Sequence, residues 1–252
     1  MMSGHSKWAT TKHKKAAADA KRGKIFTKLT RELTVAAREG GGSPESNPKL
    51  RIAMERAREA NMPSDNVDRA IKKGTGELPG VSYEEQHYEG YGPGGVAILV
   101  EVLTDNKNRA SSEVRNIFAK KGGNLAGPGA VSWIFKMKGY FLVDKAGIDE
   151  EKLMGIVLEN GADDIQTEGN TYEVTCDPKN FEKVKKALLE SKVKMVTAEV
   201  TKLPSSLVKV NGDPAKQVLQ LVELLEDHDD VQNVYANFDI PDEILQAASK
   251  GE

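Results

Sequence analysis

The apolar spacing along this chain changes once, from a helical period to an alternation of strands and helices, and the change falls at the turn-rich run Gly74 to Gly80. A chain patterned in this way folds as at least two units, one of helices alone and one of mixed layers. Before the change, Ile25, Leu29, Leu33 and Ala36 or Ala37 recur at helical spacing between Lys24 and Glu39, which predicts an amphipathic helix ended by Gly40, Gly41 and Gly42. Asn47 followed by Pro48 predicts a second helix with Leu50, Ala53, Met54 and Ala57 on one face. Ser64 as N-cap opens a third, with Val67, Ala70 and Ile71 inward and Gly74 just past its end. Gly76 and Pro79 mark the linker, which places the boundary near Leu78.

Beyond the linker, strands at Gly95 to Thr104 and Val131 to Phe135 flank a helix at Asn108 to Lys121, a βαβ unit. Gly139 predicts a tight reversal into a strand at 140–144, followed by a helix at 149–160, a strand at 171–176, a helix at 180–191 and a strand at 193–202. The helix Pro214 to Glu226 and the strand Val231 to Phe238 are too few to stand alone, so they are expected to complete the sheet begun at residue 95. The expected fold class is α+β multidomain: a basic three-helix bundle over 1–79, a discontinuous α/β domain of 80–134 plus 204–240, and an inserted α/β domain of 135–203, both ferredoxin-like and βαβ-containing.

The formal charge of −2 hides a strong segregation. Residues 1–38 hold ten Lys or Arg against the two acids Asp19 and Glu32, whereas residues 80–252 hold 19 basic against 29 acidic side chains. Such asymmetry marks an arm that meets a polyanion, joined to a body that does not, and nucleic acid is the expected polyanion. Candidate phosphate contacts are Lys7, Lys12, His13, Lys14, Lys15, Lys21, Arg22, Lys24, Lys28 and Arg31. Trp8 is either a base-stacking ring or an anchor packed on the helices. The turn Asp105 to Arg109 offers Lys107 and Arg109 beside a helix start, either as a second phosphate contact or as a simple N-cap by Asn108.

Several classes are excluded or disfavoured. The longest apolar run, Val96 to Val100, is far short of the roughly 20 residues that span a bilayer, and the opening residues lack the apolar core of a secretory signal. Cys176 is the only cysteine, so an intrachain disulfide and a multi-cysteine zinc cluster are excluded, and a reducing, cytoplasmic setting is expected. Gly90, Gly92 and Gly95 satisfy G-x-G-x-x-G but precede a strand rather than join a strand to a helix. Asp227 to Asp230 reads as a solvated turn rather than a metal site. No cofactor and no catalytic activity are expected.

The stretches Gly4-His5-Ser6-Lys7-Trp8, Lys12-His13-Lys14-Lys15, Arg22-Gly23-Lys24, Ala60-Asn61-Met62-Pro63, Tyr88-Glu89-Gly90-Tyr91-Gly92-Pro93-Gly94-Gly95-Val96, Thr104-Asp105-Asn106, Asn108-Arg109 and Asp230-Val231-Gln232 resemble, in order, those of the YebC/PmpR family. Thr11 stands where that family commonly has an aliphatic residue. The resemblance implies a helical bundle followed by two α/β domains and a transcriptional regulator that binds DNA at promoter regions. A mitochondrial relative is regarded as a translational activator, so ribosomal RNA or the ribosome is the alternative partner. The acidic body could also recruit a protein.

Overall fold

The computed structural model describes residues 19–250. Among these, three helices come first: α1 (Asp19–Gly40), α2 (Pro48–Glu59) and α3 (Ser64–Thr75). Leu33 of α1, Leu50, Ala53 and Ala57 of α2 and Ala70 of α3 are all at most 1% exposed and share one apolar core. Gly41, in the left-handed region at φ +84°, ends α1 by donating its N–H to the Ala37 carbonyl. Asn47 then serves both helices, accepting from the Leu50 N–H at 3.1 Å as the cap of α2 and donating to the Ala36 and Gly41 carbonyls.

Two details differ from the sequence reading. Pro63, not Ser64, occupies the cap position of α3, and its left-handed terminator is Gly76 rather than Gly74. Gly74 lies inside the helix where α3 crosses α1, and a Cβ there would stand 2.4 Å from the Thr34 carbonyl oxygen. That glycine is required by close helix packing, which spacing alone does not distinguish from a stop signal.

The α/β part contains two four-stranded sheets. The first has the order β3-β1-β2-β9, with β1 (Glu84–Tyr91), β2 (Ala97–Thr104), β3 (Asn124–Ala126) and β9 (Val231–Ala236). Its neighbours are antiparallel, and β9 enters from far along the chain in the register Leu99↔Tyr235. Helices α4 (Lys107–Lys120), α7 (Gly212–Glu226) and α8 (Asp242–Lys250) cover one face, where Val100, Val114, Phe118, Leu221 and Leu225 are fully buried. The other face holds Ala97 and Leu99 against Val131, Ile134 and Phe135.

The second sheet has the order β5-β6-β4-β7, formed by β4 (Phe135–Asp144), β5 (Ala162–Glu168), β6 (Thr171–Cys176) and β7 (Met195–Pro204). It carries α5 (Glu150–Glu159) and α6 (Phe181–Glu190) on the face that buries Phe141, Val143, Leu153 and Leu188. Cys176 packs in that core, where burial pushes its thiol up to about 11. A parallel pair, β8 (Val208–Lys209) with β10 (Phe238–Asp239), completes the strands among the described residues.

The expected strand Val131 to Phe135 is instead a short turn of 3₁₀ helix at Ser132–Ile134, after which β4 runs unbroken through Gly139. The expected reversal at Gly139 is therefore corrected: Gly139 pairs with both Cys176 and Val200 inside the sheet. A Cβ at this position would lie 2.5 Å from the Cys176 Sγ and 3.1 Å from the Phe181 ring. Substituting Gly139→Ala is expected to cost about 1–3 kcal/mol by overpacking, visible as a lower denaturation midpoint with an unchanged slope against denaturant. The polar strands β1 and β5 were not foreseen, because EEQHYEGY and ADDIQTE carry few β-branched residues and no regular alternation.

Candidate nucleic-acid interface

On α1, residues 24, 28 and 31 share one face, since steps of four and three return a side chain to the same side of a helix. All three cations point at the end of α7. Lys24 Nζ donates to the Asp227 carbonyl at 3.2 Å, and Lys28 Nζ donates to the Glu226 carbonyl at 2.6 Å. The carbonyls at the end of a helix carry the negative end of its dipole, so cations are the natural groups to meet them. Arg31 reaches furthest in: Nη1 donates to the Asp229 carbonyl and lies 2.6 Å from the Asp230 carboxylate, with the guanidinium 5.4 Å from the centre of the Tyr83 ring.

Asp230 is the centre of this arrangement, and the expected solvated turn is corrected accordingly. Its side chain is 4% exposed and receives Arg31, Arg109 Nη2 at 3.0 Å and the Thr104 hydroxyl at 2.8 Å. Burial works against the charge, but the Thr104 hydroxyl, the Arg109 guanidinium and the nearby Arg31 hold its carboxyl below the usual carboxylate range. His228 closes the turn, with Nδ1 accepting from the Asp230 N–H at 3.1 Å, which leaves Nε2 to donate to Glu113 at 2.8 Å. One signal was available: Asp230 immediately precedes the apolar residues of β9, so a charge there had to be placed at the edge of the core.

The start of α4 is capped by Asn106, whose Oδ1 accepts from the Arg109 N–H at 3.0 Å; the capping expected of Asn108 is corrected to this residue. Lys107 pairs with Glu84, and Arg109 pairs with Asp105 at 2.6 Å as well as with Asp230. The anions beside Lys107 and Arg109 are thus the chain's own carboxylates. Five expected phosphate contacts, Lys24, Lys28, Arg31, Lys107 and Arg109, have internal partners, and four of them converge on the turn 226–230. Arg22 lies on α1 as an exposed side chain. Lys7, Trp8, Lys12, His13, Lys14 and Lys15 lie outside the described residues, as does the side chain of Lys21.

Between α1, α2 and the first sheet lies a cleft of about 430 Å³ lined by Ile25, Leu29, Ile52 and Leu103 among others. This is why Ile25, read as part of the buried stripe, is 46% exposed. In that sheet, Glu101 of β2 pairs with Lys202 of β7 and accepts from Asn233 at 2.8 Å and from the Tyr235 hydroxyl at 3.2 Å, which ties the two sheets together. Among the described residues no helix is long and apolar enough to cross a membrane.

Comparison with known proteins agrees with this architecture. The sequence profile described as "TACO1/YebC protein N-terminal domain" matches residues 6–77, and that of the "TACO1/YebC second and third domain" matches residues 83–238. A protein of Dictyoglomus turgidum named "Probable transcriptional regulatory protein" is 59% identical over 98% of this chain and 100% of its own length. One of the same name from Natranaerobius thermophilus is 57% identical over 97% and 99%. The crystal structure of a conserved hypothetical protein from Aquifex aeolicus, 48% identical, superposes with a TM-score of 0.78 over 90% of this chain and 94% of that one. The chain belongs to the TACO1/YebC family.

Proposed function

We propose that this protein is a nucleic-acid-binding regulator of transcription that works by binding, without a catalytic step, and that holds phosphates with the cations of residues 7–22. The observation that carries the reading is the segregation of charge, ten cations against two acids in residues 1–38 and ten more acids than bases in the body. The structure supplies a reason for the excess beyond residue 22: Lys24, Lys28 and Arg31 dock α1 on the acidic body. The names of the relatives support a role in transcription.

One observation keeps RNA as a second reading. The long basic helix α1 engages Lys24, Lys28 and Arg31 with the turn 226–230, so it does not present them together to a DNA major groove as a recognition helix would. Retention on promoter-bearing duplex DNA and on ribosomal RNA, measured in the same salt, separates the two. Tighter binding to the duplex supports the transcriptional reading, and tighter binding to the RNA supports the second.

The same proposal includes the division into domains. Strands from 84–126 and 231–236 share one sheet, while every strand between 135 and 204 belongs to the other. This supports a discontinuous domain of 80–134 plus 204–240 with 135–203 inserted. The inserted unit's strand order, with β4 between β6 and β7, supports a ferredoxin-like arrangement.

A further inference from the structure

Among the large apolar side chains of the described residues, Trp133 is the most exposed, at 68%. It projects from the 3₁₀ turn Ser132–Ile134, whose other anchors are inside: Val131, Ile134 and Phe135 are each at most 7% exposed and pack on the first sheet. The ring is therefore carried outward on a pedestal that the core fixes.

Two further features hold it. The indole Nε1 donates to the Ala130 carbonyl at 3.1 Å, and the half-exposed Tyr91 donates its hydroxyl to the same carbonyl at 3.2 Å. Beneath them, the buried Glu89 accepts from three backbone N–H groups, those of Gly129 at 2.8 Å, Val131 at 2.6 Å and Ser132 at 2.8 Å. Burial alone would raise the Glu89 carboxyl, but these donors hold it below the usual range. A buried carboxylate committed to three backbone donors makes the loop rigid, and the loop's one large outward group is Trp133. An exposed tryptophan held this firmly forgoes the freedom that single surface apolar groups ordinarily keep.

What the ring offers narrows the partner. Its only polar group is already bonded inside the loop, so it presents a flat π face with no donor to satisfy. The loop beside it is Gly127-Pro128-Gly129, and a Cβ added at either glycine would meet nothing within 4 Å, so the surroundings are open. A protein hot spot is usually ringed by packed residues that exclude water, whereas a planar base needs only a bare face. The exposed Lys136 follows three residues on.

We infer that Trp133 is a stacking platform for an unpaired base, so that the polyanion held by this protein includes single-stranded nucleotides. The inference rests on the nucleic-acid reading above. Base stacking tolerates any sequence, and its removal costs about tenfold in affinity for one base.

The test uses the full-length chain and three fluorescein-labelled probes with equal numbers of phosphates: oligo(U), an abasic strand and a blunt RNA duplex. Fluorescence anisotropy is expected to show about tenfold tighter binding to oligo(U) than to the abasic strand. Trp133→Ala should erase that preference without altering abasic or duplex binding, and Trp133→Phe, which keeps a ring but lacks the indole N–H, should retain most of it. If the unmodified chain binds the probes and Trp133→Ala binds oligo(U) equally well, the stacking role is overturned and the basic arm is not. If the unmodified chain binds no probe at any salt concentration, the nucleic-acid reading fails and the inference falls with it.

Discussion

Replacing Asp230 by alanine is expected to lower the melting temperature by about 10 °C, the largest stability loss expected of any single surface-distant charge in this fold. Asp230 lies between Arg31, whose side chain is 12% exposed, and Arg109, and also accepts from Thr104. Removing it leaves the Arg31 charge inside the molecule without its counter-ion, and breaking a buried pair in this way costs about 3–5 kcal/mol. For a chain of this size, about 2–4 °C accompanies each kcal/mol. Lys24→Ala gives the contrast. Lys24 and Asp227 are both about half exposed and 3.8 Å apart, so that variant should lose under about 1 kcal/mol. Thermal unfolding of the two variants in one buffer checks both values; equal losses would show that Asp230 does not anchor α1.

The same group predicts a pH dependence. The folded-state pKa of Asp230 lies below its ordinary value, so the unfolded chain takes up the proton first as pH falls. The stabilisation is therefore fully present above about pH 4, the ordinary range of aspartate, and is lost as the pH drops through the lower folded value. Denaturation midpoints of the unmodified chain should fall more steeply below pH 4 than those of Asp230→Asn.

Neutralising Lys12, Lys14, Lys15 and Arg22 together is expected to weaken binding to nucleic acid by a factor of roughly several thousand at about 0.1 M salt. Each phosphate contact releases close to one condensed counter-ion, and at that salt concentration each release contributes close to a tenfold gain in affinity. Folding should be unaffected, because the α1 side chains packed on the helical core, Phe26, Leu29, Leu33, Ala36 and Ala37, are all retained. Equilibrium binding with far-ultraviolet circular dichroism on the same preparations separates the two effects. Undiminished affinity in a folded variant would remove the arm from the interface.

How much of this was legible in the sequence depends on whether a residue's partner is near or far along the chain. The helical stripes, apart from Ile25, and the Asn47 cap follow from local spacing, and the structure places them as expected. The entry of β9 into the first sheet was expected because one helix and one strand could not form a layer alone. The glycines were misread twice, at Gly74 and Gly139, because a stop and a close crossing look identical until the opposite surface is known. The cations were legible as a basic segment but not in their division of labour. Lys28 and Arg31 find their acceptors about 200 residues away, at the Glu226 carbonyl and the Asp230 carboxylate, and no pattern within α1 reveals that. Glu89 escaped for the same reason, since its three donors lie about 40 residues further on.

The central claim is that the cations of residues 7–22 hold a nucleic-acid backbone. Its most direct test is the slope of the logarithm of the binding constant against the logarithm of salt concentration, measured on duplex DNA with the full-length chain. Six contacts from Lys7, Lys12, Lys14, Lys15, Lys21 and Arg22 predict a slope of about −5, falling to about −2 in the fourfold variant. A slope near zero, or the same slope in both proteins, would contradict it.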